Sequence, residues 1–353
     1  MNRIKSITDV LESKGIDGIL VSDNKNIKYL SGFSGSSGCL LITGRGKIFC
    51  TDFRYEEQAK DEVKGFDIII RKEEGFRTII EKAKSIGIRT LGFETTMSYA
   101  FYKQLLRKGL KIKSVNNLVE DMRKIKDHLE LKLINKAIDR AQEAFIEVKP
   151  YIRIGSSEKQ LAVMLEDSLK KKGCSALPFD IIVAAGRNSS MPHARPTENK
   201  IKAGDFVVID WGGEAGGYFS DMTRTFLIDG RAISQKKEIY ETVLKANREA
   251  IDSVAEGKRA KIIDKTARDV IRKAGYGDFF GHGTGHGVGL DIHELPRISR
   301  IGTESIKKGM VFTIEPGIYV PGLGGVRIED MVLSEKRGCR VLTSLPRELG
   351  IIH

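Results

Sequence analysis

The sequence predicts an α+β protein of two domains. At 353 residues, the chain is longer than a single hydrophobic core usually supports. Its hydrophobic share of 41% and charged share of 30% are ordinary for a globular protein and argue against disorder. Alternating strand and helix patterns predict an α/β domain over residues 1–122, whereas residues 123–353 begin with long helices and continue as strands, glycine loops and acidic residues.

The first domain carries short elements and no recognisable catalytic constellation. Short apolar runs predict buried strands at residues 19–21, 39–42 and 47–50. A loop rich in serine and glycine lies between the first two, at residues 31–38. Helical spacing follows at residues 74–85 and 99–107. We therefore expect the chemistry in the second domain.

The second domain begins with a helix signal. Asp127 and Glu130 have the spacing of a capping box, in which each residue satisfies the other's backbone N–H. Leu129, Leu133 and Ala137 then recur with helical period, and helices are expected to continue to about residue 172.

The charge pattern argues against nucleic acid as a partner. The net charge is +12, and a basic protein can bind nucleic acid or an anionic surface. However, the lysine runs are short, acidic residues surround them, and they lack the interleaved aromatic residues of a nucleic-acid platform. No stretch approaches the roughly 18 apolar residues of a membrane span, so no membrane partner is expected.

The cysteines and the N-terminus indicate a reducing compartment. The four cysteines lie far apart in the sequence and form no zinc spacing and no dense disulfide framework: Cys39, Cys50, Cys174 and Cys339. The first residues lack the apolar run of a signal peptide. We therefore expect reduced thiols and a cytoplasmic location.

A first pair of acids lies on two consecutive strands. Residues 206–209 predict a buried strand that ends in Asp210, and the strand after the glycine turn contains Asp221. A turn centred between Ala215 and Gly216 predicts that the two aspartates face each other, with Cβ atoms about 5 Å apart. Like charges repel at that distance, and a bridging hard cation would relieve the repulsion. The alternative is that each aspartate merely ends a strand or caps a turn.

A second pair follows near the C-terminus. Glu315 stands after an apolar run and before Pro316, and Glu329 lies on the strand after the next glycine turn. A turn centred on Leu323 places Glu329 opposite Gly317 and makes Glu315 its diagonal neighbour, about 7 Å away or less. For Glu329 alone, a solvent-facing acid is the better interpretation.

Histidines cluster in an unusual glycine ladder over residues 281–294. His282, His286 and His293 fall within twelve residues, and the alternating glycines argue against a helix. In an extended segment His282, Thr284 and His286 share one face, while the glycines permit close backbone approach. Such a group favours a metal or proton-transfer site over a structural role.

Together these segments resemble the "pita-bread" metallopeptidases, a family that includes methionine aminopeptidase, aminopeptidase P and prolidase. Five residues match the order and contexts of its metal ligands: Asp210, Asp221, His286, Glu315 and Glu329. The segment at residues 51–55 resembles the N-terminal domain of the Xaa-Pro branch, and the large N-terminal domain favours that branch over methionine aminopeptidase. The resemblance covers essentially the whole chain and implies an α/β N-terminal domain followed by a pita-bread (creatinase/aminopeptidase) catalytic domain.

The resemblance also implies a mechanism. Asp221 and Glu329 would bridge two divalent ions (manganese, cobalt, zinc or iron), Asp210 would bind one ion, and His286 and Glu315 the other. A hydroxide activated by the two ions would attack the peptide bond that precedes proline. His193 and His293 would stabilise the oxyanion, and Glu315 would relay the proton. Substrate contacts are expected from His282, Arg297 and Arg327.

Several alternatives stay open at this point. A non-peptidase hydrolase of the creatinase type, or a nucleic-acid or chromatin-binding protein on the same fold, would normally lack some of the ligands that are intact here. Within the Xaa-Pro branch, Arg297 slightly favours a dipeptidase (prolidase) over an aminopeptidase, because an arginine fork suits a dipeptide's free carboxylate. A surface arginine in a salt bridge is an equal alternative. The family also implies a homodimer that acts on small peptides with proline at the second position.

Overall fold

The computed structural model describes residues 3–72, 77–106, 109–231 and 233–353. The chain divides into two compact units, Met1–Arg123 and Lys124–His353. The helical spacing expected over residues 74–85 begins outside the described residues, and the spacing expected over residues 99–107 ends outside them. Among the described helices, none is both long and apolar enough to cross a membrane.

The first unit is an α/β sheet domain. Its strands are β1 (Gly18–Val21), β2 (Cys39–Thr43), β3 (Gly46–Asp52), β4 (Asp67–Arg71), β5 (Thr90–Glu94) and β6 (Lys111–Val115). They form one mixed sheet in the order β4-β3-β2-β1-β5-β6. Its helices are α1 (Arg3–Ser13), α2 (Asn24–Ser31), α3 (Glu56–Glu62), α4 (Arg77–Ser85), α5 (Tyr99–Leu106) and α6 (Leu118–Arg123). The three strands expected from apolar runs are thus confirmed.

Two cysteines that are distant in the sequence meet in this sheet. Cys39 on β2 pairs in register with Cys50 on β3, and both are buried free thiols. A tight hairpin brings β2 back along β3, so this pair is close in space although the four cysteines are spread along the sequence.

A buried carboxyl group lies at the end of β5 in the sheet of the first unit. Oε2 of Glu94, the last residue of β5, accepts hydrogen bonds from the backbone N–H groups of Ser22 and Asp23, at 2.7 and 2.9 Å. Its Oε1 accepts from Asn26 Nδ2 at 2.7 Å. Burial raises the pKa of Glu94 to about 7, because removal from water disfavours the charged form more than these donors favour it.

The Glu94 carboxyl group should make stability depend on pH. Its pKa is higher in the folded chain than the ordinary 4.5, so the folded state holds the proton more tightly. Its contribution is fully present below about pH 4.5 and is lost as the pH rises towards about 7. Between these limits, the stability difference between wild type and Glu94→Gln should change by about 3 kcal/mol. Urea unfolding across this pH range measures that difference in the free energy of unfolding. If it changed with pH no more than it does for Glu81→Gln, at an exposed glutamate, the prediction would be contradicted.

The second unit repeats one order of elements. Its helices are α7 (His128–Val148), α8 (Glu158–Lys171), α9 (Ser234–Asp252) and α10 (Ala260–Lys273). The strands of its first half are β7 (Ile182–Ala185), β8 (Phe206–Trp211), β9 (Glu214–Ala215), β10 (Tyr218–Phe219) and β11 (Met222–Ile228). The second half has β12 (Gly285–Gly287), β13 (Glu294–Ile298), β14 (Val311–Ile314), β15 (Gly317–Val320), β16 (Gly324–Arg327), β17 (Asp330–Ser334) and β18 (Cys339–Val341), and β19 (Gly350–Ile352) ends the chain. Each half thus runs from two helices to a sheet interrupted by a hairpin.

Local signals and packing explain these elements. The capping box expected at Asp127 and Glu130 is present at the start of α7. In the second unit, one sheet has the order β19-β11-β8-β7. The other, called here the second sheet, has the order β13-β12-β14-β17-β18. Helices α9 and α10 pack on the second sheet, with fully buried Val243 and Ile263 in one apolar core with Phe312. This core supports β14 and β17, the inner strands of the second sheet that adjoin Glu315 and Glu329.

Candidate metal centre

The first aspartate pair lies at an interruption of the β8–β11 ladder. Asp210 faces Thr223, so the expected direct pairing of Asp210 with Asp221 is wrong. Ala215 pairs with Tyr218, which moves the turn to Gly216-Gly217, where φ is +60° and +86°. Positive φ at both central residues suits a tight hairpin turn, which explains the shift. Asp221 follows at the interruption, and it still lines the same cavity as Asp210.

The second pair lies at an equivalent interruption. Gly317 faces Arg327, not Glu329 as expected, because the turn is centred one residue earlier than Leu323. On the other side of the gap, Ile314 faces Asp330 in the same register. Glu315 and Glu329 therefore occupy facing positions where the ladder opens. Their backbone N–H groups donate elsewhere, to Thr284 O at 2.8 Å and Thr223 O at 3.2 Å.

One imidazole completes the cluster. His286 on β12 places Nε2 3.5 Å from Asp221 Oδ2 and 3.4 Å from Glu315 Oε1. One ligand atom each from Asp221, His286 and Glu329 lie within 4.8 Å of one another. Two interrupted ladders and a glycine-rich strand thus bring four carboxylates and one imidazole to a single site.

The electrostatics of the cluster fit a cation. Burial, reinforced by neighbouring carboxylates, raises the pKa of Asp221 and of Glu329 well above their ordinary values. Burial also raises the pKa of Glu315 and lowers that of His286, which keeps the imidazole neutral and able to bind a metal. Among the described residues, Asp210 Oδ1 and Asp221 Oδ1 are buried without a hydrogen-bond partner. Divalent ions would offset the repulsion between the carboxylates and would give these oxygen atoms a partner.

Neighbours that sequence reasoning missed orient the carboxylates. Thr223 Oγ1 donates to Glu329 Oε2 at 2.7 Å, and Thr313 Oγ1 donates to Glu315 Oε1 at 3.2 Å. Such contacts fix a ligand's rotamer before the metal binds. Threonines within β-strands carry no local signal that separates this role from ordinary strand propensity.

The Arg327 guanidinium group donates its hydrogen bonds to residues of the cluster and its surroundings rather than pointing into the cavity unpaired. Its Nη2 donates to Asp210 Oδ2 at 2.7 Å, and its Nη1 donates to the Tyr319 hydroxyl at 2.8 Å. Nε donates to Thr223 Oγ1 at 3.0 Å, and the residue is 3% exposed. Every guanidinium nitrogen therefore has a partner inside the protein, although the side chain also lines the cavity.

Tyr319 is a buried neighbour of the cluster that the sequence analysis did not single out. Burial raises its pKa to about 12, and His282 Nε2 lies 2.9 Å from its hydroxyl. The expected shared face of His282, Thr284 and His286 is not formed, because Thr284 is buried and donates its hydroxyl to Asp264 on α10. His282 and His286 both line the cavity.

A cavity of about 940 Å³ opens onto the cluster. All sequence-predicted site residues line it: His193, Asp210, Asp221, His282, His286, His293, Arg297, Glu315, Arg327 and Glu329. His293 lies beside His286, with ring centroids 4.3 Å apart. Phe179, Ile181 and Phe280 add an apolar wall. The space suits a small ligand held between charged groups and an apolar surface.

Comparison with known proteins identifies families and solved structures that are similar to this chain. The model of Metallopeptidase family M24 matches residues 132–336, and that of the Creatinase/Prolidase N-terminal domain matches residues 3–125. A Xaa-Pro dipeptidase from Pyrococcus horikoshii is 39% identical, with 98% of each chain covered. The structure of a Xaa-Pro dipeptidase from Bacillus anthracis is similar with a TM-score of 0.96, 38% identity and 99% coverage of both chains. An X-Pro aminopeptidase from Thermotoga maritima has a TM-score of 0.89 and 35% identity, covering 96% of this chain and 98% of that one.

Proposed function

The chain belongs to Metallopeptidase family M24, and we propose that it hydrolyses the peptide bond preceding proline in small peptides. The observation that carries this proposal is the convergence of four carboxylates and one neutral imidazole on a cavity of substrate size. Its similarity to proteins named Xaa-Pro dipeptidase and X-Pro aminopeptidase supports proline as the second residue.

The donor set supports a site for two divalent ions. Asp221 and Glu329 would bridge them, Asp210 would hold one, and His286 and Glu315 the other. Carboxylate-rich ligation with one imidazole suits manganese, cobalt, zinc or iron. When bound, such ions supply Lewis acidity and a water nucleophile that ionises near neutral pH.

The protein's own residues then perform the remaining tasks. His193 and His293 donate N–H groups towards the developing oxyanion, and Glu315 passes a proton to the departing proline nitrogen. His282, held by Tyr319, borders the substrate. Arg327 keeps Asp210 in place while its other nitrogen atoms anchor the cavity wall.

The test combines metal analysis with peptide cleavage. Purified protein should contain or bind close to two divalent ions per chain and should release free proline from Xaa-Pro dipeptides. A protein that binds no divalent ion, or that binds them without cleaving any Xaa-Pro peptide, would contradict the proposal. The intact ligand set argues against the non-peptidase hydrolase and the nucleic-acid or chromatin-binding alternatives.

A preference for dipeptides is the finer proposal, and Arg297 supports it. Arg297 faces His286 across the β12–β13 ladder, so both side chains leave the sheet on the same face. Within the described part of the chain, no acidic group forms an ion pair with Arg297, and its side chain lines the cavity. This arrangement favours an open carboxylate site over the surface salt bridge that was the alternative.

Replacing Arg297 tests the preference. A charge-assisted contact with the substrate carboxylate contributes on the order of 1.5–3 kcal/mol. Arg297→Ala should therefore lower kcat/KM for a Xaa-Pro dipeptide by about 10- to 100-fold and barely affect a longer Xaa-Pro peptide. Arg300→Ala, which removes an equal charge from the same cavity rim, is the matched control. Equal losses on both substrates would assign Arg297 a structural role.

A homodimer and a cytoplasmic location complete the proposal. The four cysteines, which include the facing pair Cys39 and Cys50, are free thiols and support a reducing compartment, and the family resemblance supports the dimer. Light scattering on the purified chain measures the assembly, and a monomer at micromolar concentration would contradict the dimer.

A further inference from the structure

A buried asparagine joins the two segments that carry Glu315 and Glu329. Asn247 lies on α9 and is 0% exposed. Its Nδ2 donates to Ile314 O at 3.1 Å and to Ile328 O at 3.2 Å. These carbonyl groups belong to the residues immediately before the two glutamates. One side chain therefore links the two segments at the neck, the name used here for the gap in the ladder between the pairs Ile314–Asp330 and Gly317–Arg327.

The chemistry at this position requires an amide. The nitrogen of a primary amide offers two donors, and its oxygen accepts. The Nδ2 side faces the two carbonyl oxygens and, at 3.4 Å, Asp330 Oδ2, whereas Oδ1 accepts from Arg347 Nη1 at 3.4 Å. A carboxylate of the same shape would present an oxygen atom to two carbonyl oxygens and would repel both.

The neck is where backbone pairing is lost. Regular pairing stops at Ile314–Asp330 on one side and resumes at Gly317–Arg327 on the other. Between these points one long backbone hydrogen bond remains, from the Ile328 N–H to Pro316 O at 3.4 Å, while Glu315 and Glu329 donate their N–H groups to Thr284 and Thr223. Regular ladder pairing therefore does not set the separation of the two glutamates. The Asn247 amide supplies a fixed link at this point.

The first half of the unit holds its interruption differently. Trp211 Nε1 donates to Ala141 O on α7 at 2.9 Å, and a Cβ at Gly213 would collide with the Ala137 carbonyl oxygen. There the backbone itself packs directly on the helix. In the second half, the corresponding helix reaches the neck through the Asn247 side chain.

We propose that Asn247 is a positioning residue that sets the separation of the Glu315 and Glu329 carboxylates and thereby the affinity and geometry of the divalent-ion site. This inference rests on the proposed metal centre. Asn247 is not among the described residues that line the cavity, so it acts through the two backbone carbonyl groups that it links and through its contacts with Asp330 and Arg347.

Cobalt binding to the metal-free chain tests this role without any turnover. Asn247→Asp keeps the shape and loses the donors, and Asn247→Ser keeps one donor in a smaller side chain. Calorimetry should give a Co²⁺ affinity about 10- to 100-fold weaker for Asn247→Asp, with an intermediate value for Asn247→Ser. The visible absorption of bound Co²⁺ should shift as well, because the arrangement of its ligands changes.

The control removes a buried hydrogen bond from the same helix. Tyr240 on α9 is 1% exposed and donates its hydroxyl to the backbone O of Arg347 at 2.8 Å, not to the two segments that Asn247 links. Tyr240→Phe should lower stability slightly and leave the Co²⁺ affinity and spectrum unchanged. Wild type that fails to bind Co²⁺ would overturn the metal centre itself. Wild-type affinity and spectrum in Asn247→Ser and in any folded Asn247→Asp protein would overturn this inference alone, as would an equal loss in Tyr240→Phe.

Discussion

Asp221→Asn should abolish peptidase activity and at the same time stabilise the metal-free chain. The substitution removes a carboxylate that would be shared by both ions, so bound metal should fall. The loss of Lewis-acid catalysis, on the order of 4 kcal/mol, corresponds to at least about a 10³-fold drop in kcat/KM. Glu329→Gln should behave in the same way.

The stability gain follows from the same charges. Burial and neighbouring carboxylates raise the pKa of Asp221 and Glu329 in the folded chain above the ordinary 3.8 and 4.5. These two groups therefore stabilise the metal-free fold most at low pH, and their contribution is lost as the pH rises above these ordinary values. An amide in place of either carboxyl group removes that loss. Divalent ions reverse the trend in wild type, since their binding requires the ionised carboxylates and stabilises the fold.

Thermal unfolding with and without divalent ions, from pH 5 to pH 8, measures both effects. Glu214→Gln is the matched control, because Glu214 is a buried carboxylate in the hairpin between Asp210 and Asp221 and binds Ser175 instead. It should lose stability at every pH and keep its metal. Wild-type turnover by Asp221→Asn would contradict the shared-ligand role. A metal-free variant less stable than wild type at pH 8 would contradict the destabilising effect of the buried charges.

The residues that line the cavity could be predicted from sequence, but the registers of their strands could not. Asp210 and Glu315 each end an apolar strand before glycines, a local pattern that is visible without a structure. The registers depend on which glycine of several takes the turn. Gly216, Gly217 and Gly322 all adopt positive φ, and each neighbouring glycine was an equally permissive candidate. A shift of one turn position was enough to change both predicted facing pairs.

The supporting residues were invisible for a different reason. Asn247 lies 67 residues from Ile314 and 81 from Ile328, and Thr223 lies 106 residues from Glu329. Local periodicity explains Asn247 only as one more position on a helix. Its meaning arises from packing of α9 on the second sheet, which depends on the whole fold.

The second large effect is expected at the imidazoles that line the cavity outside the ligand cluster. His293→Ala and His193→Ala should each lower kcat by about 10²–10³-fold while both ions stay bound, because they remove a donor to the oxyanion and not a ligand. His293→Gln should recover part of the rate, since its amide can still donate. His128→Ala, at an exposed histidine that does not line the cavity, should have no effect.

The pH profile separates this donor role from general acid catalysis by His293. Burial and the adjacent His286 lower the pKa of His293 below the ordinary 6.5, so the ring is neutral at neutral pH and still carries one N–H. A neutral donor predicts that kcat stays level as the pH rises through 6.5, and that His293→Ala lowers the plateau without moving its limits. If kcat instead fell on the alkaline side in wild type and lost that limb in His293→Ala, the imidazolium would be the active form. If His293→Ala lost its metal, the ring would be a ligand.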